Sequence, residues 1–492
     1  MATQISETLV EDLVARAVSA GEEWAAMYAA DRATVLGTVA DALDAAVEEL
    51  LPIAQRETHL AEGRLRGELK RTTFQLRLLA DSAARGEHLD VRIDHADHDW
   101  PMGAPRPDLR RGAVPLGPVV VFAASNFPFA FSVAGGDTAS GLAAGCSVIV
   151  KAHEGHLELS DATARVVLEA LRAAGAPEGL FALVHRPEDA RAVLVHPDIK
   201  AAAFTGSIPA GRALFDIAQS RTDPIPFYGE LGSVNPVFVT ERAAASRAAE
   251  IVDGFVASFT MGAGQFCTKP GVLLAPAGSE IVPLLHDAVL PEPAPMLNDR
   301  ITGGHAHVRE QLTANARVQT LAAGSSSQPA GSSTQHPAPA LLLTSASDVV
   351  ADTDGLLTEC FGPTALVVTY ANERELLEVA RVIEGQLTAT LAAEEDDEIV
   401  AELASLLSRK TGRLLWNQWP TGVSVTYAQQ HGGPYPATTA PGATSVGTAA
   451  LTRFVRPVAW QGFPQQLLPD ELRDQPASPI VQRVNGRITG EG

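Results

Sequence analysis

Cys267 stands in GAGQFCTKPG, where glycines and polar residues flank a sulfur that a core cysteine would keep among apolar neighbours. A thiol attacks as its thiolate, whose ordinary pKa is about 8.5, so a nucleophilic role needs a base or an electropositive setting nearby. Glu230, in PFYGELGSVNP, is a candidate base, with Gly229 and Gly232 beside it as if the backbone must turn tightly there. Asn126, in ASNFPFAF, follows an apolar run and precedes Pro128, which places it at a strand end in an extended conformation. Its amide can donate there to a developing oxyanion, with the Cys267 backbone N–H as second donor. Each residue also has a plainer reading: an inert buried cysteine, a solvated loop carboxylate, a turn asparagine. Their own neighbourhoods leave both readings open.

A second set could hold a phosphate-bearing ligand. Lys151 ends the apolar run SVIVKAHEG and could hold a ribose or phosphate group, or simply snorkel from a strand end. In FTGSIPAGRAL, Gly206 and Ser207 close one run and open a helical pattern containing Gly211. Small residues at a helix start admit a diphosphate to the free N–H groups and the positive end of the dipole. This is not GxGxxG, so a dinucleotide site here is a variant of the usual one. Glu359, in TECFGPTALVV, could bind ribose hydroxyls or face water, and Phe361 could pack on a nicotinamide ring or in a core. No residue set reads as a metal site.

The elements that must position these residues follow from periodicity. From Glu7 to about Arg85 apolar residues recur at helical spacing, with Pro52 as the main interruption, so a series of amphipathic helices is expected. Residues 98–115 hold four prolines with Arg110 and Arg111 and little helical period, which predicts an extended excursion or connecting arm. From Gly117 to about Val239, short β-branched runs alternate with helical patterns, and a second alternating region runs to Trp419. Such alternation predicts parallel sheets with crossover helices and ligands at the carboxyl ends of the strands. The insert GSSSQPAGSSTQ, 324–335, reads as a flexible surface loop without assignable chemistry.

Bulk properties narrow the class. With 492 residues the chain is long enough for two or three lobes, and at 46% hydrophobic and 5% aromatic it has the composition of a globular enzyme. A net charge of −21 repels nucleic acid and anionic membrane surfaces, so neither is expected as a partner. Cys146, Cys267 and Cys360 are too few for a disulfide framework, no basic n-region opens the chain, and no apolar run reaches the length of a membrane span. The chain reads as soluble and cytoplasmic.

Taken in order, these segments resemble the aldehyde dehydrogenase superfamily from the N-terminal helices to about Pro464. ASNFPFAFSVAGGDTASGLAAGCSVIVKAH and HGGPYPATTAPGATSVGTAALTRFVRPVAWQGFP are most similar to the NADP-type branch with α-ketoglutarate semialdehyde and bacterial fatty aldehyde dehydrogenases. The resemblance implies an α/β fold with a Rossmann-type cofactor domain (1–97 and 116–230), an α/β catalytic domain (231–445), and bridging or oligomerisation segments (98–115 and 446–492). It implies Cys267 as nucleophile, Glu230 as general base, Asn126 and the Cys267 amide as oxyanion hole, and Lys151, Gly206, Ser207, Glu359 and Phe361 at the cofactor. The implied reaction oxidises a small aldehyde to a carboxylic acid through a thiohemiacetal and a thioester, the latter hydrolysed by water that Glu230 activates. A homodimer or homotetramer is implied as well.

Glu154 departs from the branch, since a carboxylate at this position suits the ribose hydroxyls of NAD and opposes the 2′-phosphate of NADP by about 1–4 kcal/mol at 4 Å. NADP is nonetheless slightly preferred over NAD, with Lys151 and His153 as compensation. Two rivals share the fold. A coenzyme-A-acylating enzyme is disfavoured by Glu230, which such relatives generally lack, and a non-catalytic binding protein by the presence of every chemical position; a thiol hydrolase would need no nicotinamide.

Overall fold

The structure, a computed structural model, describes residues 7–325, 336–477 and 480–489. Four helices open the chain: α1 (Glu7–Ala26), α2 (Ala29–Ala45), α3 (Val47–Thr58) and α4 (Glu62–Ala84). Pro52 does not end a helix. It lies inside α3, which continues because Leu50, Leu51, Ala54 and Thr58 bury on its two sides, and the breaks fall at residues 27–28, 46 and 59–61. Burying those side chains outweighs the one backbone hydrogen bond that proline removes.

The next strands, β1 (Val91–Asp94) and β2 (Leu109–Pro115), belong to a small sheet described below; β3 (Val119–Phe122) enters the main body. It is followed by α5 (Gly136–Ala143), β4 (Val148–Lys151), α6 (Leu157–Ala173), β5 (Phe181–Val184), α7 (Pro187–Val195), β6 (Ala201–Thr205), α8 (Ile208–Gln219) and β7 (Phe227–Glu230). The five strands from β3 on pair in parallel in the order β5-β4-β3-β6-β7. The chain winds outward from β3 to β5, then returns to the other side of β3 to place β6. The crevice at that reversal, between the ends of β3 and β6, is where ligands of such sheets sit. Asn126 follows β3 and Gly206–Ser207 follow β6, so both flank it.

A second sheet starts immediately after Glu230. Its strands are β8 (Val237–Val239), β9 (Val272–Pro276), β10 (Gln319–Ala323), β11 (Ala340–Ser345), β12 (Thr364–Tyr370), β13 (Gln386–Ala392) and β14 (Thr411–Trp416). They run in the order β10-β11-β12-β9-β8-β13-β14, parallel apart from β10. Helix α9 (Glu241–Thr260) follows β8, its first turn capped by the Thr240 hydroxyl, which accepts the Ala243 N–H at 3.3 Å. Both large sheets are covered on each face by apolar clusters, as their nearly continuous Val/Leu/Ala runs require.

The third sheet has the order β15-β2-β1-β16-β17, with β15 (Val455–Gln461), β16 (Gln482–Val484) and β17 (Arg487–Thr489). The excursion at 98–115 thus ends in a strand, β2, paired antiparallel along its whole length with β15. Most of the 324–335 insert, residues 326–335, lies outside the described residues. Among the described residues no helix is long and apolar enough to cross a membrane.

Candidate active site

Cys267 is delivered by an unusual turn. After α9, Gly262, Ala263 and Gly264 all adopt left-handed backbone angles, with φ of 57°, 55° and 68°. At Gly264 a side chain is excluded twice over, by that angle and by the Gly362–Pro363 backbone packed on its Cα. Beyond the thiol, the Cys267 carbonyl accepts a hydrogen bond from Asn235 Nδ2 at 2.8 Å, which fixes the chain before β9.

Glu230 ends β7, buried, and its carboxylate faces the sulfur through a third residue. His431 Nε2 lies 3.5 Å from Cys267 Sγ and 2.9 Å from Glu230 Oε1, while the Ser445 hydroxyl donates to Glu230 Oε2 at 2.7 Å. Because the carboxylate can only accept, Nε2 carries the ring proton, which leaves Nδ1 buried without a partner. The segment bearing these residues is stitched to the end of β7, where Leu231 N–H donates to the Ala437 carbonyl and Thr439 N–H to the Gly229 carbonyl, and it is closed on itself by Ser445 N–H, which donates to the His431 carbonyl. Asn126 is nearby, its Nδ2 donating to the Gln265 carbonyl at 3.3 Å, a long bond that a better acceptor can displace.

Burial, and then the facing Glu230 carboxylate, push the Cys267 thiol well above its ordinary range. Burial alone would raise Glu230 too, but His431 and the hydrogen bonds from His431, Ser445 and Cys267 hold it below the usual carboxylate range. A protonated thiol therefore faces an ionised carboxylate. The ligand atoms of Glu230, Cys267 and His431 lie within 4.8 Å of one another, close enough to share a metal ion as well as a proton.

All nine predicted site residues line one cavity of about 620 Å³: Asn126, Lys151, Glu154, Gly206, Ser207, Glu230, Cys267, Glu359 and Phe361. It runs from the thiol along the carboxyl ends of β3, β4 and β6. At its middle α8 begins, and Ser207, extended at its N-cap, makes no capping hydrogen bond of its own, so the first-turn N–H groups remain available to a diphosphate. Gly206 N–H donates to the Glu230 carbonyl, tying this turn to the candidate base. At the far end Lys151 Nζ stands 3.9 Å from the Glu154 carboxylate, which is half exposed, and Arg191 and Arg300 complete the lining. His153 there is kept neutral at physiological pH, pushed down to about 3 by burial and by neighbouring His156, Lys151 and Arg300. Near the thiol, burial pushes the Glu359 carboxyl up to about 7, with Lys269 opposing. Gly232 makes room for it, since a Cβ there would meet Glu359 Oε2 at 2.5 Å. A helix start with free N–H groups, cations at one end and an aromatic ring near the thiol fit a nicotinamide dinucleotide.

His431 and Ser445 were not among the residues singled out from sequence, although both lie in the C-terminal stretch that carried the resemblance. Nothing in HGGPYP or GATSVG marks a partner for a glutamate some 200 residues earlier. Arg191 and Arg300 were missed likewise, since each sits in an ordinary amphipathic helix.

The fold and this cavity fit a dinucleotide-dependent enzyme of the Rossmann type, and the chain belongs to the aldehyde dehydrogenase family, whose model matches residues 2–435. It is an oxidoreductase that converts aldehydes to carboxylic acids with NAD or NADP. The chain is 41% identical to the alpha-ketoglutaric semialdehyde dehydrogenase of Acinetobacter baylyi, over 93% of this chain and 87% of that one. It is 42% identical to alpha-ketoglutaric semialdehyde dehydrogenase 2 of Azospirillum brasilense, over 97% and 91%. The fold matches the NADP-complexed, NADP-dependent glyceraldehyde-3-phosphate dehydrogenase of Bacillus halodurans, with a TM-score of 0.76 at 20% identity over 93% of this chain and 92% of that one.

Proposed function

We propose that the chain oxidises α-ketoglutarate semialdehyde, or a closely related aliphatic aldehyde, to the acid through a thioester on Cys267. The observation that carries the mechanism is the Cys267–His431–Glu230–Ser445 chain at the inner end of the dinucleotide-sized cavity. The names of the two relatives above 40% identity support the substrate.

The thiol is protonated at rest, so its proton leaves as the C–S bond forms, passing to the facing Glu230 carboxylate. The resulting alkoxide is held by Asn126 Nδ2 and the Cys267 N–H, two donors already in place before the charge develops. A bound nicotinamide dinucleotide supplies the hydride acceptor at this point. Once that proton has passed to solvent, Glu230 deprotonates a water that hydrolyses the thioester, with His431 and Ser445 as positioning residues that keep the carboxylate ionised and aimed. Release to water rather than to coenzyme A follows from that buried base.

Lys151, Gly206, Ser207, Glu359 and Phe361 bind the cofactor in this reading. Three cations, Lys151, Arg191 and Arg300, face the single carboxylate of Glu154 at the adenosine end, which favours a slight preference for NADP. We also assign residues 1–97 and 116–230 to the cofactor domain, 231–445 to the catalytic domain and the two remaining segments to a bridge between copies of the chain.

The test incubates the enzyme with an aldehyde panel and each dinucleotide, with and without coenzyme A, and follows reduced cofactor. Oxidation of the semialdehyde independent of coenzyme A, lost by several orders of magnitude in Cys267→Ala, is expected. Full oxidation by Cys267→Ala would overturn the covalent route.

A further inference from the structure

Outside the lining of the cofactor cavity, α4 presents two arginines one heptad apart, Arg64 and Arg71. Their surroundings are apolar: Phe127, Phe131, Leu78, Val423, Val425 and Val446 form one cluster there. Arg64 is held by one hydrogen bond, its Nη2 donating to the Asn126 carbonyl at 2.7 Å, and its guanidinium lies over Phe127 and Phe266, although its Nε and Nη1 are buried without partners. Arg413, the other cation outside the cofactor cavity on which the charge of Cys267 acts, donates to the Pro420 and Gly422 carbonyls, leaving only its Nε buried without a partner.

Arg71 is different. Its guanidinium lies over the Phe131 ring, 5.3 Å from the centroid, and Phe131 in turn meets His431 edge-on at 6.3 Å. It makes no hydrogen bond and no ion pair among the described residues, and Nη1 is buried without a partner. Glu68, one turn earlier, makes no hydrogen bond to it: Oε1 accepts the N–H groups of Phe129 and Ala130 at 2.8 and 3.0 Å and Oε2 is buried without a partner, so Glu68 acts on Arg71 only through its charge. A buried guanidinium N–H without an acceptor costs free energy that a native protein rarely leaves uncompensated. The group is also close enough to the site to interact with the charges of both Cys267 and Glu230.

The geometry points to Arg71 as the residue that holds the distal carboxylate of an aldehyde acid, with the Phe127–Phe131 cluster taking the intervening carbons. The assignment rests on the semialdehyde reading above and names the group that would make it selective. A guanidinium offers a carboxylate two parallel N–H donors, and in an apolar wall that pair is worth far more than in water. Stacking on Phe131 holds the fork at one angle, so little entropy is lost when the carboxylate arrives.

The test compares kcat/KM for α-ketoglutarate semialdehyde with that for pentanal, a neutral aldehyde of the same carbon count, in the wild-type enzyme and in Arg71→Met and Arg71→Lys. The ratio of acid to pentanal is expected to fall by about 10- to 100-fold in Arg71→Met, chiefly through KM for the acid. In Arg71→Lys, which keeps the charge but not the fork, a fall of about three- to tenfold is expected. Should Arg71→Met fail to accumulate, the Lys variant carries the test alone. A ratio that stays at the wild-type value, or equal losses on both aldehydes as for a cation that serves the thiolate, overturns the assignment. A wild-type enzyme that does not prefer the acid over pentanal overturns the semialdehyde reading itself.

Discussion

At the scale of single residues, the site holds two carboxylates whose surroundings drive them apart. Glu230 is held ionised by His431 and Ser445, whereas Glu359 is pushed up to about 7 by burial. The first has a consequence for the thiol. Because the Glu230 charge helps raise Cys267, Glu230→Gln should move the pH profile of Cys267 alkylation to lower pH, with a faster rate at neutral pH than wild type. Iodoacetamide labelling of Cys267 followed by mass spectrometry reads this, and a profile unmoved or moved upward would contradict the facing charge.

Glu359 has a consequence for stability. Below about pH 4.5 the carboxyl is protonated whether the chain is folded or not, and no difference arises. Between about 4.5 and 7 the unfolded chain ionises while the folded one keeps its proton, so the group costs progressively more as pH rises, reaching about 3 kcal/mol above pH 7. Glu359→Gln should therefore raise the melting temperature by an amount that grows from pH 4.5 to 7 and is constant above it. An equal shift at pH 4 and pH 8 in a thermal melt would sink the argument.

At the scale of elements, the end of the cavity assigned above to the adenosine is built by the end of β4, by α7 and by a helix start at Arg300, and on that assignment its charge should decide which dinucleotide fits. Glu154→Gln should raise the kcat/KM ratio of NADP over NAD by about fivefold, the low end of the Coulomb estimate because the carboxylate is half exposed. Arg191→Ala should lower the same ratio, and steady-state kinetics in which neither change moves it would remove both residues from the 2′-phosphate site. These elements also mark what the sequence could and could not disclose. Strand ends are local events: an apolar run stopped by Asn126, Lys151 or Gly206 announces a carboxyl edge, and all three residues line the cavity. The alternating α/β fold was legible for the same reason, whereas the aldehyde dehydrogenase family was legible through the resemblance of whole segments, ASNFPFAF to VKAH and HGGPYP to QGFP. His431 and Arg71 were not, because what distinguishes them is a partner across the fold, the Glu230 carboxylate for one and an unfilled acceptor position for the other. Pro52 misled because the burial that carries α3 past it depends on packing against α4 and α6, which periodicity alone does not weigh.

At the scale of the whole molecule, two sheets end in strands that present unpaired backbone. In β14, the last strand of the seven-stranded sheet, Leu414 and Trp416 are more than a third exposed, and β15, the last strand of the small sheet, is mostly exposed along its length. An edge strand that leaves its N–H and C=O groups open to water is a template for another strand. The two edges lie in one chain, so if β14 of one copy meets β15 of another, a two-fold relation brings the reciprocal pair together and closes the contact. The expected assembly is a homodimer, or a dimer of such dimers, with 51.6 kDa subunits. Trp416→Lys, a charge on the outward face of β14, should give a smaller species in size-exclusion chromatography with light scattering than the wild-type chain gives. A wild-type chain that elutes as a monomer would exclude the pairing outright, and a Trp416→Lys variant that keeps the wild-type mass at low micromolar concentration would move the interface away from β14.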